Sequence, residues 1–126
     1  MDNTAINIAI AENHVLLGTV LQNALSSRGY NVIVTAENGA ELLTQMKSLK
    51  ELPDLCIVDI TMPVMDGYET VRQLRKEYPS VKILAMTIFD HIDKRDAILA
   101  AGAHEYIVKN EPIENWETVI AGLFAS

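Results

Sequence analysis

Apolar residues along this chain fall into two alternating kinds of pattern. Short apolar runs, most of them continuous, occupy residues 6–11, 32–34, 55–58, 81–86 and 106–108, and between them apolar positions recur at helical spacing. Continuous apolar runs suit parallel strands whose two faces are both covered by helices. After the first run, Leu17, Val20, Leu21, Ala24 and Leu25 fall at i, i+3, i+4, i+7 and i+8, which predicts a helix burying that stripe and ending near Arg28-Gly29. Leu42, Leu43, Met46 and Leu49 carry a second helix, with Pro53 barring continuation past Leu52. Asp66 followed by Glu69 has the form of a capping box, and Val71, Leu74 and Tyr78 then share one face until Pro79. A fourth helix is expected over residues 93–101, ending at Gly102, and a fifth is marked by Trp116, Val119, Ile120, Leu123 and Phe124. Five β-α units in strict alternation predict a doubly wound α/β sandwich of three layers, since each parallel crossover needs a helix.

Composition narrows this picture. At 126 residues, with 49% hydrophobic and 21% charged content, the chain can bury one core without disulfides or a structural metal. A net charge of −7 argues against a nucleic-acid surface, which needs clustered Lys and Arg, so any DNA contact has to come from another domain. Cys56, the single cysteine, lies within an apolar run and reads as a buried, inert thiol. No basic leader opens the chain and no apolar run approaches the ~18 residues of a membrane span, which predicts a soluble, cytoplasmic domain over residues 1–126. His14, His91 and His104 are too scattered for a zinc site.

Candidate chemistry lies where the strands end, because ligands of doubly wound sheets sit beyond the carboxyl ends of the strands. The first polar residues there are Glu12 and Asn13 after the first strand, Asp59 after the third, Thr87 after the fourth and Lys109 after the fifth. An acid and an amide oxygen to help hold a hard cation, a nucleophilic carboxylate, a hydroxyl and an ammonium together suit phosphoryl transfer. That chemistry needs positioned positive charge more than covalent assistance. Magnesium fits the oxygen donors, since one or two carboxylates plus carbonyl and phosphate oxygens suffice for it. Taken singly, each residue has an ordinary reading: Asn13 as a helix N-cap, Asp66 as a cap for the third helix, Thr87 as a strand residue, Lys109 as a solvated cation and Tyr106 as a packed aromatic. The spacing of Asp59, Thr87 and Lys109 in combination favours a joint site.

At this point the chain resembles the receiver domains of response regulators, CheY-like domains, over essentially its whole length. The resemblance rests on Ala11-Glu12-Asn13-His14, on Val58-Asp59-Ile60-Thr61-Met62-Pro63-Val64-Met65-Asp66-Gly67, on Thr87 after Ala85-Met86, and on Tyr106-Ile107-Val108-Lys109. It implies a flavodoxin-like parallel sheet of order 2-1-3-4-5. It also implies that Asp59 accepts a phosphoryl group from a sensor histidine kinase, with Mg²⁺ held by Glu12, Asn13, Asp59 and the Thr61 carbonyl. Thr87 and Tyr106 are then the switch pair, and the face of helix four, strand five and helix five changes partners, with homodimerisation there as one outcome. The opening is similar to that of NarL/LuxR-type regulators, in which a DNA-binding output domain follows the receiver; that domain is absent from this chain.

Three positions depart from the family pattern. Asn13 stands where a second acid usually ligates the metal, which should weaken Mg²⁺ binding; Ile88 is bulkier than the residue usual after the switch threonine; and Asn110 replaces a frequent proline. These leave a second reading, a pseudo-receiver acting as a phosphorylation-independent interaction module. A phosphatase of the haloacid dehalogenase kind fits less well, because Asp59-Ile60-Thr61 lacks the second acid of Asp-x-Asp. A flavin protein would need a phosphate-cradling loop where Glu12-Asn13-His14 stands.

Overall fold

The computed structural model describes residues 5–88 and 92–125. Strands and helices alternate throughout: β1 (Asn7–Ala11), α1 (Val15–Ser27), β2 (Asn31–Ala36), α2 (Gly39–Ser48), β3 (Leu55–Asp59), α3 (Gly67–Glu77), β4 (Lys82–Thr87), α4 (Ile92–Ala101), β5 (Glu105–Val108) and α5 (Ile113–Phe124). The strands pair in parallel in the order β2-β1-β3-β4-β5, as expected.

Side chains leave successive strand positions on opposite faces, so each strand feeds two cores. Ala9, Ala11, Cys56, Val58, Ile83 and Ala85 face the side covered by α2, α3 and α4, where they meet Leu42, Met46, Val71, Leu74 and Ile98. Ile8, Ile10, Leu55, Ile57, Leu84 and Met86 face the other side, with Leu25, Trp116 and Ile120 from α1 and α5. β3 sits mid-sheet with all five residues buried, which explains its unbroken apolar run. β2 is an edge strand, alternately exposed, and runs longer than its apolar run because polar Asn31 and Thr35 belong to it.

Local signals bound the helices. Asn38 caps α2 by accepting from the Glu41 backbone N–H at 2.8 Å, and Asp66 caps α3 by accepting from that of Glu69 at 3.0 Å. Gly29 closes α1 in the left-handed region at φ 92, with Tyr30 N–H returning to the Leu25 carbonyl. α2 stops at Ser48, earlier than Pro53 alone requires.

One predicted face is corrected. Leu17 and Val20 are 46% and 57% exposed, not buried, while Gly18 and Leu25 are buried and Leu21 is half-buried. The helix meets the sheet through positions 18, 21 and 25, a stripe that helical spacing allows equally well. Gly18 brings the backbone close to Glu12, whose Cγ lies 3.7 Å from where a Cβ would stand. Phe124, the last of the α5 stripe, is likewise 36% exposed, whereas Trp116 and Ile120 are core.

Candidate functional site

β1 lies between β2 and β3, so the crossovers leaving β1 and β3 pass to opposite faces and open a crevice at their carboxyl ends. Asp59 is the last residue of β3 and sits at the bottom of this crevice, only 2% exposed. Its backbone is held from below. Ile60 N–H donates to the Met86 carbonyl at 3.0 Å, and Gly67 N–H donates to the Ile60 carbonyl at 2.8 Å, folding the loop back onto the strand end. A Cβ on Gly67 would lie 2.5 Å from the Asp59 carbonyl oxygen, so only glycine lets α3 begin here. Between them, Met65 N–H reaches the Pro63 carbonyl at 2.7 Å across Val64, whose φ of 67 is strained for a β-branched residue.

The remaining predicted residues converge. The Lys109 backbone N–H donates to the Thr87 carbonyl at 2.7 Å, an extension of the β4–β5 ladder that carries the lysine toward Asp59. Lys109 Nζ stands 2.6 Å from Glu12 Oε1 and 3.0 Å from Asp59 Oδ2. Asp59 Oδ1 accepts from the Thr61 N–H at 3.1 Å, and Glu12 Oε2 accepts from the His14 N–H at 2.9 Å. Thr87 is buried at the end of β4 and lines the crevice with Asn13, Thr61 and Lys109; Leu17 and the exposed Ile88 flank them. Tyr106 is buried within the α2–α3–α4 core, away from this lining.

Asn13 is not the cap of α1, because His14 holds that position and makes no side-chain cap bond. The inward end of its amide stands 3.2 Å from Glu12 Oε2 and 3.0 Å from Asp59 Oδ2, where a nitrogen would donate to both carboxylates and an oxygen would face a cation held between them. The Glu12–Lys109 contact had no local signal in the sequence, since it joins residues that follow β1 and β5.

Burial pushes the Asp59 carboxyl up to about 6; the hydrogen bond and charge of Lys109 oppose the rise and the nearby Glu12 charge adds to it. Two buried acids with one ammonium leave a net negative crevice suited to a hard cation. Among the described residues, however, no cluster of three or more His, Cys, Asp or Glu side chains is present. Glu12, Asp59, the Thr61 carbonyl and the Asn13 amide oxygen supply donors that fit magnesium, which asks for one or two carboxylates and keeps several waters. Cys56 is buried, and burial pushes its thiol up to about 12, which makes it inert. Asp66 is engaged as a cap. Of the histidines, His14 is exposed and His104 accepts the Ile83 N–H at 3.0 Å, while His91 lies outside the described residues.

A five-stranded parallel sandwich with a buried carboxylate at its crossover crevice defines a doubly wound α/β domain built around an acidic site. The model of the response regulator receiver domain family matches residues 8–121, and the chain belongs to that family. A probable transcriptional regulator, ycf27, from Pyropia yezoensis is 36% identical over 109 residues, covering 86% of this chain and 43% of the relative. The chain thus spans less than half the length of that protein. CheY in the CheX–CheY–BeF3–Mg complex of Borrelia burgdorferi superposes with a TM-score of 0.90 at 24% identity, covering 96% of this chain and 90% of the other. The receiver domain of the regulator NarL from Mycobacterium tuberculosis gives 0.86 at 24% identity, covering 94% and 95%. Both likenesses speak for the fold. Among the described residues no helix is long and apolar enough to cross a membrane.

Proposed function

We propose that this receiver domain accepts a phosphoryl group on Asp59 from a sensor histidine kinase and uses it to control an output, most simply transcription through a DNA-binding domain elsewhere in a longer protein. The observation that carries this reading is the buried Asp59 carboxylate with Lys109 Nζ at 3.0 Å, at the floor of a crevice also lined by Thr87. In the transfer, an Asp59 oxygen attacks phosphorus, the bond from phosphorus to the kinase imidazole nitrogen breaks, and the imidazole leaves with the electron pair. Lys109 stands where it can neutralise the phosphoryl oxygens, and the Thr87 hydroxyl can donate to one of them. Magnesium, held by Glu12, Asp59, the Thr61 carbonyl and Asn13, would supply the remaining positive charge.

The new charge then biases the Thr87–Tyr106 pair and alters the face of α4, β5 and α5, where a homodimer or an output partner binds. A cytoplasmic setting follows from a kinase partner. Intact-protein mass after incubation with a small phosphodonor and Mg²⁺ tests this. One added phosphoryl group is expected, lost with Asp59→Asn and with chelator; no adduct under conditions that leave the protein folded would sink the reading.

A specific observation favours a second reading. All four carboxylate oxygens of Glu12 and Asp59 already accept from the protein, from Lys109 Nζ, the His14 N–H and the Thr61 N–H. A domain whose acids are satisfied internally can serve as a phosphorylation-independent interaction module, in which case only Asn13→Asp would yield the adduct.

A further inference from the structure

A side chain finishes the joint between α4 and β5. Ile83 in β4 is fully buried, and its carbonyl accepts from the His104 N–H at 2.9 Å, just ahead of the β4–β5 ladder. In a regular parallel ladder the Ile83 N–H would pair with a backbone carbonyl slightly upstream on the partner strand. There the chain is still closing α4: Gly102 stands at φ 125, and the Gly102 and Ala103 N–H groups return to the Leu99 and Ile98 carbonyls. The His104 ring fills the gap, with Nδ1 accepting from the Ile83 N–H at 3.0 Å. His104 thus grips one residue of β4 twice, by its backbone and by its ring.

Only a neutral imidazole can accept at Nδ1, because the protonated ring carries hydrogen on both nitrogens. The charges that act on this ring are positive. From α3, Arg75 lays its stem over Gly102, where a Cβ would collide with it, and brings its guanidinium to 3.4 Å from His104 Nε2. Lys82 adds a second cation from β4. The end of α4 beside the ring, residues 97–101, carries no charge, and Glu105 in β5 turns its carboxylate to the Tyr106 N–H at 3.1 Å. We propose that His104 is an acid-sensitive clasp: the neutral ring closes β5 onto β4 at Ile83, and the protonated ring releases that buried N–H and gathers three positive charges at the joint. Opening the clasp frees the start of the strand that carries Tyr106 and leads to Lys109. Burial, then Arg75 and Lys82, hold the ring below the ordinary 6.5, so the stabilisation is fully present above 6.5 and is lost as pH falls through the lower folded value. The clasp uses no group of the acidic crevice, so it goes beyond the phosphoacceptor reading and holds or fails without it.

The test uses the full chain carrying Asp59→Asn, which removes the opposite pH dependence of that acid. His104→Asn, added to it, keeps an acceptor at the place of Nδ1 and cannot titrate. Urea unfolding and hydrogen exchange of the Ile83 amide, corrected for intrinsic rate, are followed between about pH 8 and about pH 5, where histidine titrates. Over this range protection of the Ile83 amide should fall about tenfold with His104 in place, the equilibrium equivalent of one hydrogen bond. It should stay level with His104→Asn. Parallel urea profiles for the two proteins would overturn the clasp. A second measurement needs no variant of the histidine: by NMR, the His104 ring and the Ile83 amide should titrate together, with one midpoint below 6.5. An Ile83 amide that stays still while the ring titrates would also overturn the proposal. No phosphodonor is used, so failure of the phosphoacceptor reading leaves this result untouched.

Discussion

An acid and an asparagine meet at both ends of this sheet, with opposite consequences. At the amino end, Asp54 Oδ2 accepts from the Asn7 N–H at 2.8 Å, Asp54 N–H returns to the Asn7 carbonyl at 2.8 Å, and Asn31 bonds Asn7 side chain to side chain, all in contact with water. At the carboxyl end, Lys109 bonds Glu12 at 2.6 Å and Asp59 at 3.0 Å with the Asn13 amide beside them, but the two acids are buried and share one cation. The first cluster ties β1 to its neighbours. The second holds two like charges on one ammonium, an electrostatic tension that added positive charge would release. Residue types alone do not separate the two; burial does, because water screens a charge at one end and is excluded at the other.

Lys109→Met breaks this comparison most severely. It leaves two buried acids without their ammonium, and should cost on the order of 3–5 kcal/mol in urea unfolding at neutral pH. Easing of that loss as pH falls and one acid protonates would identify charge, not packing, as its source.

Asp59→Asn should act in the opposite direction. The folded-state value of about 6 lies above the ordinary 3.8, so protonated Asp59 favours the fold. That contribution is fully present below 3.8 and is lost as pH rises through about 6. The variant, which cannot ionise, should therefore exceed wild type by about 3 kcal/mol at pH 7, with the gap closing near pH 4. A pH-independent gap would show that the acid is not strained in the fold.

The smallest effect belongs to the amino end. Asp54→Ala removes one exposed acceptor and should cost about 1 kcal/mol, without changing Mg²⁺ affinity. A loss comparable to that of Lys109→Met would erase the distinction between the two ends.

Much of the fold was legible because each element states its own periodicity. The apolar run of β3 and the Asp66–Glu69 cap of α3 depend on residues a few positions apart, and both were found where expected. α1 was misread at Leu17 and Val20, since two overlapping apolar stripes fit one helix and only its neighbours choose between them. In the candidate site, Asp59, Thr87 and Lys109 were visible as polar residues terminating apolar runs. The closeness of the Asn13 amide to both carboxylates was not, because it depends on how the loop after β1 turns toward β3.

The sequence by itself determined the five β-α units and the candidate residues at the strand ends, because hydrophobic period and capping chemistry act over one or two turns of chain. Only the tertiary structure decided which stripe of α1 is buried and that Lys109 reaches Glu12 as well as Asp59. These depend on distances between residues far apart in the chain and on which of them lose contact with water, and local periodicity carries neither.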